Sequence, residues 1–167
     1  MSEMIAYMMK SAAGQILPAM AGSLKKAKAY AAEREIEEHV LLSARLFPDM
    51  HPLLRQYQMA ADTAARGVAR LASLEMPSFP DTETSIDQIT ARLEATNAFV
   101  QGVDDAALNA SAQQVLEIPL GPMTVNWEGR QYLSTFVLPN LHFHASIAFA
   151  LLRHQGVSIG KRDFLTA

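Results

Sequence analysis

The chain reads as an all-α protein, a four-helix bundle with a small β-hairpin inserted before the last helix. Three observations predict this. Four long stretches carry apolar residues at helical spacing. The connections between them run roughly ten to twenty-five residues, some longer than usual bundle loops, which implies insertions. The stretch VLEIPLGPMTVNW alternates in polarity around Gly121-Pro122, as a hairpin does. At 167 residues, the whole span 1–167 is one domain with room for a substantial core.

Residues 2 to about 32 form the first helix, with Ile5, Met8, Met9, Ala12, Ile16, Ala19, Met20 and Leu24 on one face. Pro18 lacks a backbone donor and crowds the preceding turn, so it should kink or divide this segment. Methionines such as Met4, Met8 and Met9 suit a core or a dimer contact. Glu35–Asp49 is a connector with a short helix near Ile36–Val40. Its Leu41, Leu42, Leu46 and Phe47 must pack down, and its acids Glu35, Glu37 and Glu38 read as solvated.

Asp49 and Pro52 suit a helix start, and the second helix should run about 51–74. Its inward face takes Leu53, Tyr57, Ala60, Ala64, Val68 and Leu71, with Gln56 at the margin. The prolines of MPSFPD break the chain. Thr82 or Thr84 then caps a third helix from Ser85 to about Gln101, with Ile86, Ile89, Leu93, Phe99 and Val100 inward and Ala98 marginal. Residues 103–111 form a short turn of helix, and the hairpin pairs Val115–Leu120 with Met123–Trp127. The tail carries too little pattern to assign, but Val157, Ile159, Phe164 and Leu165 suggest that it docks.

Composition excludes several functions. With 14 basic and 17 acidic residues the net charge is −3, and no basic stripe offers nucleic acid a footprint. Lys25, Lys26 and Lys28 read as a solvated helix face. Without cysteine there is no thiolate nucleophile, iron–sulfur cluster or cysteine zinc site. The start has Glu3 and no basic n-region, and the uncharged run Ser11–Leu24 is too short to span a bilayer, so a cytoplasmic protein without membrane contact is expected. Phosphate-binding glycine loops are missing, Ser134 and Ser146 have no histidine–carboxylate relay, and no inward Glu-x-x-His pair supports a di-iron site.

The chemistry therefore rests on the last helix, Gly129–Gly156, in which Pro139 should introduce a kink. Leu133, Phe136, Val137, Ile147, Ala148 and Leu151 make its apolar stripe, and Asn140 and His144 sit on that stripe one turn apart. A polar pair in an apolar stripe must be hydrogen-bonded, bound to a ligand, or costly. His39, His51, His142 and His154 read as surface residues.

This helix resembles that of the DinB-like (DinB/YfiT) bundle superfamily, in which a His-x3-His pair precedes an Arg-x-x-Gly stretch. Asn140-Leu-His-Phe-His144 and Arg153-His-Gln-Gly156 occupy that frame, with Asn140 in place of the first histidine. The superfamily's third metal ligand is a histidine on the second helix, where Gln56 is the comparable residue. The whole chain also resembles the bacterial domain-of-unknown-function family 1993 within that superfamily. The matching segments are LLSARLFPDMHPLLRQ (41–56), MPSFPDTE (76–83), IPLG (118–121), LPNLHFH (138–144) and GKRDFL (160–165). The resemblance implies an up-and-down four-helix bundle, commonly a homodimer, and no established activity.

Three readings of Gln56, Asn140 and His144 follow. The trio floors a pocket for a small molecule, with no cofactor; this is the preferred expectation. Alternatively His144 ligates a divalent metal, zinc or nickel, in a DinB-like enzyme that transfers a thiol cofactor or hydrolyses small substrates. Two amides in place of imidazoles would weaken such a site. Thirdly, the trio is a packing network in a structural or interaction protein.

Overall fold

Helix caps and the spacing of apolar residues set the architecture. In the computed structural model, which describes residues 4–166, four long helices surround the core: α1 (Met4–Glu33), α3 (Leu53–Leu71), α4 (Ile86–Gly102) and α7 (Leu138–His154). The short helix α2 (Glu38–Leu42) lies between the first two. Helix α5 (Asp105–Ala110), a 3₁₀ turn and the hairpin β1 (Val115–Leu120) and β2 (Met123–Glu128) fill the connection after α4. A short helix α6 (Gly129–Tyr132) leads into α7, and α8 (Lys161–Leu165) folds back along α1.

The strands are antiparallel with Val115 opposite Glu128 and Leu120 opposite Met123. Gly121 takes the turn at φ 59°, a conformation that a residue with Cβ rarely adopts. The hairpin thus stands as expected, one residue longer in its second strand. Ser85, rather than Thr82 or Thr84, caps α4: its hydroxyl accepts from Gln88 N–H, and the Gln88 side chain returns a bond to the Ser85 N–H. Glu38, expected to be solvated, instead accepts from the Ile86 N–H at 2.7 Å, at the positive end of α4.

Cross-links give the directions. Lys28 pairs with Asp87, and Gln101 reaches the Lys10 carbonyl, so α1 and α4 are antiparallel. Tyr30 donates to the Gln155 carbonyl at the shared C-terminal ends of α1 and α7, which are parallel. Gln56 meets His144 while Gly67 meets Val137, so α3 runs against α7. The four helices therefore run up, down, down, up. Helix α1 packs beside α4 and α7, with α3 across the diagonal. Two parallel neighbours, α3 and α4, need a strap that returns the length of a helix. Helix α3 has 19 residues and is about 28 Å long, and residues 72–85 in extended form cover that distance.

Helix α1 continues through Pro18 and is not divided by it. The start of the expected segment at residues 2–3 lies outside the described residues. In the last helix, the predicted disturbance at Pro139 takes the form of a π-helical turn at Leu133–Val137, just before the proline. Widening that turn relieves the ring's clash with the carbonyl one turn back. Helix α3 approaches this turn so closely that a Cβ on Gly67 would lie 2.6 Å from Val137 Cγ1.

The core holds Met9, Leu17, Leu24, Leu53, Tyr57, Leu71, Ile89, Leu93, Tyr132, Leu141 and Leu151, each almost wholly buried. Ala98 is exposed, and Arg92 and Thr96 take the inward positions on α4 instead. Val157 and Ile159 dock as expected, but Leu165 is exposed. Leu46 and Phe47, expected to pack down, also face outward. The 26-residue helical rod Gly129–His154 is long and apolar enough to cross a membrane by composition, yet its apolar face packs on α3 and α1.

Candidate functional site

The α3–α7 interface brings the predicted polar residues to one place. Gln56 sits in the first turn of α3 and is 2% exposed; His144 lies on the facing stripe of α7 and is 5% exposed. His144 Nδ1 and Gln56 Oε1 are 2.8 Å apart, and Gln56 Nε2 donates to the His51 carbonyl at 3.0 Å. Asn140 belongs to the same face but bonds to neither. Its Nδ2 donates to Thr63 Oγ1 at 2.8 Å. Thr63 was absent from the sequence reading, although it lies seven residues, two helical turns, beyond Gln56.

His144 Nε2 makes no hydrogen bond within the described residues, and it is not sealed from solvent. Burial pushes this imidazole below its ordinary pKa, and the charges of His51 and Arg55 push it the same way, so it is neutral near pH 7. Phe143 stands half-exposed with its ring edge-on to the imidazole, 5.2 Å between centroids. His39, His51, His142 and His154 are exposed, as read from the sequence.

The superfamily's three-histidine metal centre can be tested against these donors. Zinc and nickel favour several imidazole or thiolate ligands. Here one imidazole nitrogen is open, Gln56 is committed at both ends of its amide, and Asn140 turns an N–H toward Thr63. Among the described residues no group of three His, Asp or Glu side chains is placed to hold a metal ion. The donor set does not fit the metal.

A second polar cluster went unread in the sequence. Arg92, with its side chain 2% exposed, pairs with Asp62 at 2.5 Å, Glu83 at 2.7 Å and Asp81 at 3.1 Å. Gln58 Nε2 donates to Glu83, Arg55 pairs with Asp81 and donates to Gln58 Oε1, and Phe79 lies under the Arg92 guanidinium. Burial raises the Glu83 pKa, but the bonds from Arg92 and Gln58 outweigh it and hold the carboxyl below its ordinary value. This cluster pins the strap 72–85 to α3 and α4. The signal was present: Ile89, Arg92, Leu93, Thr96 and Val100 form one helical stripe.

Two clefts lie at the other end of the bundle. One, about 760 Å³, runs between α1 and α5 past Lys10, Asp105 and Asn109; another, about 530 Å³, is lined by Met4, Ile5, Met8 and Leu133. His144, Gln56 and Asn140 line neither.

Comparison with known proteins agrees with this architecture. A family model described as a domain of unknown function (DUF1993) matches residues 8–165. Among solved structures, a DinB family member protein from Shewanella denitrificans is similar at 31% identity and a TM-score of 0.89, over 98% of this chain and 93% of that one. No curated protein matches the chain.

Proposed function

This chain belongs to the DUF1993 family and has the DinB-like fold, and from that premise we propose that it binds a small molecule on the α3–α7 face bearing His144, Gln56 and Asn140. One observation carries the reading. A buried imidazole keeps one ring nitrogen without a partner among the described residues and not sealed from solvent. Buried side chains kept only for packing have their polar atoms satisfied internally. A partnerless atom beside a polar trio supports a ligand contact.

A fragment library measured by thermal shift tests it. Binders should raise the melting temperature of the native protein and not of His144→Ala. A library without one such compound would sink the reading. The second reading, a packing or interaction role, draws on the Gln56–His144 bond itself. It requires His144→Ala to lose stability without any ligand-dependent difference. The metal-dependent enzyme has no such support, because the donors do not suit zinc or nickel.

A homodimer through α1 belongs to the same proposal. Met4 and Tyr7 stand 61% and 69% exposed on that helix, a surface that association would cover. Sedimentation of a monomer at tens of micromolar, roughly the range for non-obligate contacts, would count against it.

A further inference from the structure

We infer that this site selects its ligand through a neutral hydrogen-bond donor, an O–H or N–H on an apolar body, and that Gln56 is the positioning residue that makes it so. The inference rests on the small-molecule reading above and names the chemistry of its ligand.

The argument starts from a group that cannot be turned round. The His51 carbonyl only accepts, so the Gln56 amide must direct its NH₂ toward it. Gln56 Oε1, which only accepts, is then the end that faces His144. A neutral imidazole carries one N–H, and this bond places it on Nδ1. Nε2 is left as a bare lone pair that is not sealed from solvent. Flipping the Gln56 amide would set two oxygens against each other at His51.

One turn earlier on α7, Asn140 commits its Nδ2 to Thr63, and its Oδ1 has no partner among the described residues. Two acceptors, His144 Nε2 and Asn140 Oδ1, therefore occupy one stripe, and on the imidazole the only group facing out is an acceptor. Phe143, edge-on to the imidazole, supplies an apolar wall. Cationic donors are disfavoured, because the positive charge of Arg55 already acts on His144. A ligand with an aromatic or aliphatic body and a hydroxyl or amide N–H meets each of these conditions.

The experiment has two arms on the full chain. Long-range proton–nitrogen correlation of the histidine rings, above the ordinary imidazole pKa, reads the tautomer without any ligand. We expect His144 protonated on Nδ1. Gln56→Leu should yield a mixture of tautomers, and Gln56→Glu, which keeps an acceptor for Nδ1–H but cannot donate to His51, should restore the single form. A merely structural Gln56 would leave the tautomer unchanged in both variants. An Nε2-protonated or mixed His144 in the native protein overturns the inference while leaving ligand binding untouched.

In the second arm, phenol and anisole are titrated against the native protein by NMR. Phenol should perturb His144 and Phe143 and bind at least about tenfold more tightly than anisole, which lacks the donor. Equal binding overturns the donor assignment but upholds the site. Binding of neither removes the small-molecule reading and this inference with it.

Discussion

The bundle buries two polar clusters against α3, and they differ in where their bonds end. Around Arg92, nearly every charge and amide finds its partner inside: Asp62, Asp81, Glu83, Gln58 and Arg55 close on one another, and only Arg92 Nε is left without one. Around His144 the bonds run inward through Gln56 to a backbone carbonyl and then stop, with Nε2 and Asn140 Oδ1 facing outward. Closed polarity holds segments together, whereas polarity with open ends is available to something else. Burial alone does not separate the two, since Arg92 and His144 are almost equally hidden, at 4% and 5% exposure.

Removing Arg92 should be the largest single effect. Arg92→Leu strands Asp62 and Glu83, both largely buried, and should cost about 3–5 kcal/mol. Urea unfolding measures it, and a loss under about 1 kcal/mol would erase the contrast between the clusters. Glu83→Gln is milder, about 1–2 kcal/mol, and carries a pH signature. The Glu83 pKa is lowered in the folded protein, so its contribution is complete above the ordinary value of 4.5 and is lost as pH falls through the folded value. Acid titration of stability should therefore be flatter in the variant.

His144→Ala should change stability by under about 1 kcal/mol, because water can take over the open position and reach Gln56. Its pH dependence has its own window. Below 6.5 the unfolded chain takes up a proton that the folded imidazole resists, so stability falls with pH until the folded value is passed. That slope should vanish in His144→Ala. A loss of about 3 kcal/mol would move His144 into the same class as Arg92. The smallest effect expected is from metal: zinc or nickel should shift the melting temperature of native protein and His144→Ala equally. A rise confined to the native protein would restore the metalloenzyme.

Helices and hairpin were legible because their signals are local. Leu53, Tyr57, Ala60, Ala64, Val68 and Leu71 are all buried, as their period demands. His144 was recognisable because it interrupts an apolar stripe, whereas Gln56, at the margin of its helix face, was matched to it only through the superfamily resemblance. The partners of the site were not. Thr63, the His51 carbonyl and the cluster around Arg92 depend on how α3 is placed against α7 and on the path of the strap, and neither has a local signature. Arg92 was passed over because arginine is rarely buried, although its stripe pointed inward. Pro18 does not divide α1, since a long helix packed on both sides continues through a proline that would break an isolated one.

The strap also fixes an order of events. A bundle of successive hairpins can build outward from any turn, each helix docking on the one before it. Here α1 packs chiefly on α4, α8 and α7, all later in the chain, and only lightly on α3, so much of its apolar face stays wet until most of the chain has collapsed. Such non-local closure slows folding and leaves an early methionine-rich surface open to mispairing. Core substitutions in α1, such as Met9→Ala, are therefore expected to speed unfolding while leaving the folding rate nearly unchanged, whereas Tyr57→Ala in α3 slows folding. Stopped-flow measurement of both variants would reveal whether α1 is the last helix to join.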